Sequence, residues 1–397
     1  MKAVFGYILS VGIATTNFYA QTTNVEGSSY QFKKVVSLDA TPVQSQGQTG
    51  TCWSFSATSF FESEIQRLGA KQPVVLSEMY VVRKAYEMKA EKFIRMDGKI
   101  NFGEGGAFHD VPLVIEKFGI VPYEVYTGLK SSKSYNHGEM FEQLNLVMTD
   151  IVSRIGSTEG ITDEWKRKFN QMLDFGIGKD VVSFEYNGKQ YTPKSYAASL
   201  GLDMKNYVSL TSFTNHPVYS QCMLEIPDNW AWGSSYNVAM DDLVEVAVWA
   251  LNNGFTIAWG ADVSEKGFSF SNGLAIVPAD PSMIEVNGKD DKRFNDAGAQ
   301  RTSNAFFEPM KELNITQELR QAAYDNKTTT DDHGMHIVGL YKDQNGTRYF
   351  LVKNSWGTGN LPQGYLYVSE NYFKYKTINI YLHKDGIPSG VKNKLKL

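Results

Sequence analysis

The chain has 397 residues, 42% hydrophobic and 21% charged, an ordinary balance for a globular protein able to bury one large core or two smaller lobes. Its formal net charge of −4 gives no global reason to expect nucleic acid or an anionic membrane as a partner. Six histidines and two cysteines are too few for a metal-rich or disulfide-dense protein.

In chain order, residues 1–20 come first: one cation, Lys2, then an apolar run, then small and polar residues. This is the pattern of a secretory signal peptide, so export to the periplasm or medium is expected. The competing reading is a short buried or interfacial helix. The apolar run is too short to span a bilayer, and no later run has that length, so stable membrane insertion is not expected. Export would favour pairing of Cys52 with Cys222. Both are nevertheless expected as free thiols, because the bridge would disable the chemistry described next.

The stretch Gln44 to Glu64 turns from a glycine-rich loop into a helix at Cys52, with Ala57, Phe61, Ile65 and Leu68 at helical spacing and Gly69 as a stop. A cysteine in the first turn meets unpaired N–H groups and the positive end of the helix dipole, which favour a thiolate with a pKa of roughly 3.5–7.5. Gln46 lies one short turn upstream. Its side-chain amide and the backbone N–H of Cys52 could form a two-donor oxyanion hole. Taken alone, the same residues could equally be a buried structural cysteine beside a surface glutamine.

A second helix is expected from Leu76 to about Ala90, and a third from Asp110 to Phe118, with His109 at its start and Pro122 beyond its end. Between them Gly105 and Gly106 lack side chains, so an extended peptide could approach and pair with their backbone; a plain loop is the alternative. Tyr126 to Gly176 reads as helical, with Phe141, Leu144, Val147, Ile151 and Ile155 and then Trp165, Phe169, Met172 and Leu173 on one side. Asn187-Gly188 predicts a hairpin. Residues 206–236 are aromatic and irregular, Asp241 to Leu251 reads as a helix, and FTIAWGADV as a buried strand.

The block from Asp331 to Gly357 predicts two strands, His333 to Tyr341 and Arg348 to Asn354, around a turn at residues 343–346. A hairpin centred there puts His333 opposite Asn354, whose side-chain oxygen would fix the imidazole tautomer and leave the other nitrogen to take the thiol proton. His336 faces the other side of the strand and reads as a core histidine. Trp356 is a candidate to shield the polar contact and border the substrate. Further strands are expected at residues 364–369 and 377–382.

Gln46, Cys52, His333 and Asn354, in that order, resemble the constellation of papain-like cysteine peptidases. Within that superfamily the chain is similar to the bleomycin hydrolase or aminopeptidase C branch. The segments FGEGGAFHDVPLVIEKFGIVPYEVYTG, YNGKQYTPKSYAASL, SSYNVAMDDLVEVA, WGADVSEKGF, HGMHIVG and VKNSWG carry this likeness, over roughly residues 35 to 383. It implies an α+β fold: a papain-like two-lobed core, with a helical lobe and an antiparallel sheet or barrel lobe, plus an inserted helical hook subdomain. The corresponding boundaries are 21–125 for the helical lobe, 126–236 for the insertion, 237–383 for the sheet lobe and 384–397 for a tail.

The resemblance further implies thiol-dependent aminopeptidase activity on short or unfolded peptides, no metal or organic cofactor, and a homo-oligomer that is a hexamer in relatives. In those relatives a C-terminal arm lies in the cleft and restricts it to free amino termini. The tail LHKDGIPSGVKNKLKL does not match that arm. It is expected either to fold into the cleft, with the Leu397 carboxylate meeting the substrate's amine, or to stay outside. An endopeptidase with an open cleft, and a catalytically silent scaffold of the same fold, are the alternatives.

Overall fold

The computed structural model describes residues 22–130, 133–155, 163–288 and 299–397. The segment read as a signal peptide lies outside them. A strand, β1 (Lys33–Ser37), precedes α1 (Cys52–Arg67), in which every residue from Trp53 to Ile65 is buried, so this helix runs through the interior rather than over it. Ala57, Phe61 and Ile65 face the core as their spacing predicts. Leu68 does not: it is the C-cap and is 48% exposed.

Elements with strong local signals follow. Ser77 caps α2 (Glu78–Arg95) by accepting from the Tyr80 N–H, and α3 (Asp110–Phe118) starts and ends where its apolar spacing predicts. α4 (Gly138–Arg154) and α5 (Glu164–Ile177) pack with α1 to α3 around one cluster that includes Phe60, Tyr86, Val111, Phe141, Leu144, Phe169 and Leu173. Met148 rather than Val147 completes the buried face of α4. Asn187 and Gly188, both with positive φ, close the hairpin of β2 (Phe184–Tyr186) and β3 (Lys189–Tyr191), and α6 (Pro193–Ser199) follows.

The irregular-looking stretch holds three strands, β4 (Tyr207–Thr211), β5 (Gln221–Met223) and β6 (Ser234–Asn237). They join the main sheet beside a strand far along the chain; within residues 126–236, α4 and α5 pack on α2, α6 packs on α3, and the last strands extend the sheet. After α7 (Met240–Asn252) come β7 (Ile257–Ala261), β8 (Phe268–Ser269), β9 (Leu274–Ala275), β10 (Glu285–Asn287), β11 (Gln300–Thr302) and α8 (Gln317–Asp325). The chain continues through β12 (His333–Lys342), β13 (Arg348–Lys353), β14 (Tyr365–Ser369), α9 (Glu370–Lys376), β15 (Thr377–His383) and α10 (Ser389–Leu395).

The main sheet runs β5-β6-β4-β15-β7-β12-β13-β14-β9-β8, with β1 on β12. Its pairs are antiparallel except β4 with β6 and β14 with β9. β12 is the axis: its first half pairs with β7, its second half with β1, and its other edge with β13. One face of this sheet lies against α1. The other carries Trp259, Ala261, Met335, Ile337 and Val352 into a second core formed with α7, α9 and α10. Residues 384–397 belong to that second face. Ile387, Val391 and Leu395 are buried in it, and Lys394 reaches Asp242 of α7 at 3.0 Å. The tail is therefore docked, but not in the cleft.

Candidate active site

The turn into α1 and the hairpin β12–β13 converge on one cavity of about 400 Å³. Among the residues that line it are Gln46, Cys52, Gly105, Gly106, Asp228, Asp331 and His333. The convergence depends on Gly334. A Cβ there would stand 2.7 Å from Ser56 Oγ and 3.3 Å from the Trp53 Cα, so only glycine lets β12 press this closely on the first turn of α1. The backbones of Gly334 and Trp53 consequently act on the Cys52 sulfur in the direction that favours its charged form.

His333 Nε2 stands 2.7 Å from Asn354 Oδ1, and that oxygen also accepts from the Ser355 N–H at 2.7 Å. An amide oxygen can only accept, so Nε2 carries the proton and Nδ1 of the neutral ring is left as the base. The contact is real, but the register behind it differs from the sequence expectation. Ile337 pairs with Val352 and Gly339 with Leu351, so a bulge separates them, and the ladder would bring His333 level with residue 356 rather than 354. Asn354 bridges the offset with its side chain just past the end of β13. Trp356 lies 4.7 Å from the His333 ring, tilted by 33°, and is held edge-on by Phe268 and Phe270. It backs the imidazole and is not among the residues that line the cavity.

Gln46 is 2% exposed and locked at both ends of its amide: Oε1 accepts from Ser355 Oγ at 2.6 Å and Nε2 donates to the Thr49 carbonyl at 2.7 Å. The second Nε2 hydrogen is not used by this contact. Its backbone N–H bonds the Ser355 carbonyl at 2.8 Å, so Gln46 and the loop after Asn354 are tied together. Ser355 was not singled out from the sequence, where a serine between two notable residues carries no signal.

Gly105 and Gly106 line the cavity, but the crowding that demands glycine comes from within the protein. A Cβ on Gly105 would overlap the Asp228 carboxylate, and one on Gly106 would stand 2.7 Å from Asp110 Oδ2 and 2.9 Å from the Trp53 ring. The Gly105 carbonyl accepts from the buried Lys89 ammonium.

The protonation state departs from the sequence expectation. Burial, together with the negative charges of Asp331 and Asp228, pushes the Cys52 thiol up to about 12, outweighing the N–H groups of Gly334 and Trp53. Burial lowers His333 to about 4 against the pull of Asn354 and Asp332. Both shifts act in the direction of a neutral thiol and imidazole rather than a thiolate and imidazolium. Cys222 is buried in β5, and both cysteines are free.

Behind the site lies a sealed polar layer that the sequence reading missed. His336 Nδ1 meets Ser59 Oγ at 3.0 Å, Lys353 donates to Ser59 and Thr41, and Thr41 donates to Glu62. Glu78 shares the same small cavity with His336, Lys353 and Asn354. Burial raises Glu62 to about 7 and Glu78 to about 8, while burial and Lys353 hold His336 well below its usual value. His336 is thus an interior residue, as its strand parity predicts, bonded through Nδ1 while its buried Nε2 has no hydrogen-bond partner.

With this geometry in view, the chain matches the Peptidase C1-like family over residues 10–278 and the papain family cysteine proteases over residues 301–383. It is 23% identical to an aminopeptidase C of Lactococcus lactis subsp. cremoris, across 94% of this chain and 87% of the relative. It is 22% identical to an aminopeptidase G of Lactobacillus delbrueckii subsp. lactis, across 86% and 80%. The crystal structure of PepW from Lactobacillus rhamnosis superposes with a TM-score of 0.69 at 18% identity, covering 92% of this chain and 84% of that one, a likeness of fold.

Proposed function

This chain belongs to the Peptidase C1-like family and is a cysteine peptidase, and from that premise we propose that it removes residues from the free amino terminus of short or unfolded peptides. The observation that carries the reading is the single cavity lined by Cys52, His333 and Gln46, with His333 oriented by Asn354 at 2.7 Å. In this mechanism Cys52 gives its proton to His333 Nδ1 as the sulfur attacks the scissile carbonyl carbon. The carbonyl oxygen becomes an oxyanion held by the free Gln46 Nε2 hydrogen and the Cys52 N–H. The imidazolium protonates the leaving amine as the C–N bond breaks, and water, deprotonated by His333, hydrolyses the thioester. Because both shifts favour a neutral pair, the proton moves with the attack rather than before it.

The aminopeptidase rather than endopeptidase assignment is supported by the names of the relatives and by the acidic lining of the cavity. A leucyl anilide and its N-acetyl derivative, assayed side by side, test it. The free amine is expected to be turned over far faster. Equal rates would mean an open endopeptidase cleft. Export and self-association remain parts of the same proposal: secretion of the mature protein is tested by locating it in cell fractions, and a homo-oligomer by sedimentation.

A further inference from the structure

The relatives' names imply recognition of a free amine, and residues 384–397 are docked against α7 on the opposite face of the sheet and line no part of the cavity. Among the described residues, the counter-charge is found in the cavity's own lining. When one residue is released, the substrate's ammonium nitrogen is two bonds from the carbonyl carbon that the sulfur attacks. Its partner must therefore sit close to Cys52.

Four carboxylates line the cavity: Glu104, Asp228, Asp331 and Asp332. Two are committed to the fold. Glu104 accepts from the Gly50 N–H at 2.8 Å and braces the loop before α1. Asp332 accepts from Ser264 N–H at 3.0 Å, Val263 N–H at 3.2 Å and Thr330 Oγ1 at 2.7 Å, closing the turn after β7. Asp228 has one side-chain hydrogen bond, from Asn101 at 2.9 Å to Oδ1, and its carboxylate lies directly on the Gly105 Cα. Asp331 shows no side-chain hydrogen bond or ion pair among the described residues; burial first, and then the negative charges of Asp228 and Asp332, push its carboxyl well above the usual range, so a cation beside it is what would hold it ionised. Lys89, whose charge favours the ionised Asp228, donates two of its three ammonium hydrogens to the Gly103 and Gly105 carbonyls. Asp228 and Asp331 are also the two acids whose charge reaches the Cys52 thiol.

We propose that Asp228 and Asp331 form the specificity-determining anchor for the substrate's free α-ammonium group, holding it beside Cys52. This rests on the aminopeptidase reading and names the device behind it. An ammonium between two carboxylates satisfies charges that otherwise repel each other in a partly dry cavity. It also cancels the field that disfavours the thiolate, so the same contact that binds the substrate lowers the cost of making the nucleophile. A blocked amino terminus brings no positive charge and loses both effects.

The test uses full-length enzyme with Asp331→Asn, Asp228→Asn and the double variant, assayed on leucyl and N-acetyl-leucyl aminomethylcoumarin. The ratio of kcat/KM for free over blocked substrate is expected to fall about 30-fold or more in the double variant, the scale for removing one side of a buried charge pair. Alkylation of Cys52 by neutral iodoacetamide should become faster in Asp331→Asn, a change that a structural role would not produce. A preserved ratio, or an equal loss on both substrates, overturns the anchor while leaving the aminopeptidase reading intact. A wild type indifferent to acetylation overturns both. If the double variant does not fold, Asp331→Asn alone carries the comparison, since its side chain holds no internal partner. In the Cys52→Ala background, leucyl-glycine amide should bind more tightly than its des-amino analogue, and Asp331→Asn should abolish the difference; equal affinity before the substitution also overturns the anchor.

Discussion

The two faces of β12 differ as sharply as any two regions of this molecule. On one side Met335 and Ile337 join Trp259, Phe373 and the helices α7, α9 and α10 in a core built of apolar contacts. On the other, Gly334 and His336 meet α1, and within a few residues stand Ser59, Thr41, Lys353, Glu62 and Glu78, all buried and joined by hydrogen bonds and charge. An apolar face tolerates changes of shape at a graded cost. A buried polar face has to be satisfied atom by atom, and in return it fixes where each side chain stands. Here that fixed face adjoins the residue that orients the imidazole: Lys353 immediately precedes Asn354.

The largest effect expected from breaking this contrast is at Lys353. Lys353→Met leaves Glu62 buried without its cation and should cost about 3–5 kcal/mol of stability, whereas the double variant Lys353→Met/Glu62→Gln should recover most of it. If the polar face positions Asn354, the double variant regains stability without regaining full kcat, which denaturant unfolding and active-site titration separate. On the apolar face, Phe373→Ala should cost about 3–5 kcal/mol too, but the folded fraction should keep its kcat.

Gln46→Ala comes next. Its amide meets charge that exists only in the transition state, so kcat should fall about 10²–10³-fold with little change in KM. A normal kcat would remove Gln46 from the oxyanion hole. Asn354→Ala should be milder than His333→Ala, because a misoriented imidazole remains a base.

The polar face also predicts a pH signature. His336 is held neutral in the fold but protonates near 6.5 once unfolded, so it costs stability as pH falls below 6.5, by about 1.4 kcal/mol per unit. Glu62 and Glu78 have the opposite sign: raised to about 7 and 8, they contribute stability that is complete below 4.5 and lost as pH rises through those values. His336→Gln should flatten the acid limb of the stability profile and Glu78→Gln the alkaline limb, both read from unfolding midpoints. The smallest expected effect on selectivity is at the tail. Deleting residues 390–397 should lower the melting temperature through lost contacts of Val391 and Leu395, yet leave the ratio of free to blocked substrate unchanged.

Much of this was legible in the sequence because the signals were local. The first turn of α1, the span of α3 and the Asn187-Gly188 hairpin follow from spacing and turn chemistry within a few residues. The nearness of His333 and Asn354 was legible as well, though the register was not, because Lys342 pairs with Arg348 and the turn is centred later than the polar residues 343–346 suggest. Three things required distant parts of the chain: β4 to β6 pairing beside β15, the Lys353 network, and the arrival of Asp228 and Asp331 at Cys52. The thiol's protonation state belongs with these, since helix position argues for a thiolate and only the assembled burial and charge argue against it.

The most direct test of the account is at the sulfur itself. A thiol-directed epoxide should label Cys52 and not Cys222, with loss of turnover in proportion to labelling; Cys52→Ala should be inactive and folded, and Cys222→Ala active. Turnover that survives Cys52→Ala, or inactivation that tracks labelling of Cys222, would contradict it.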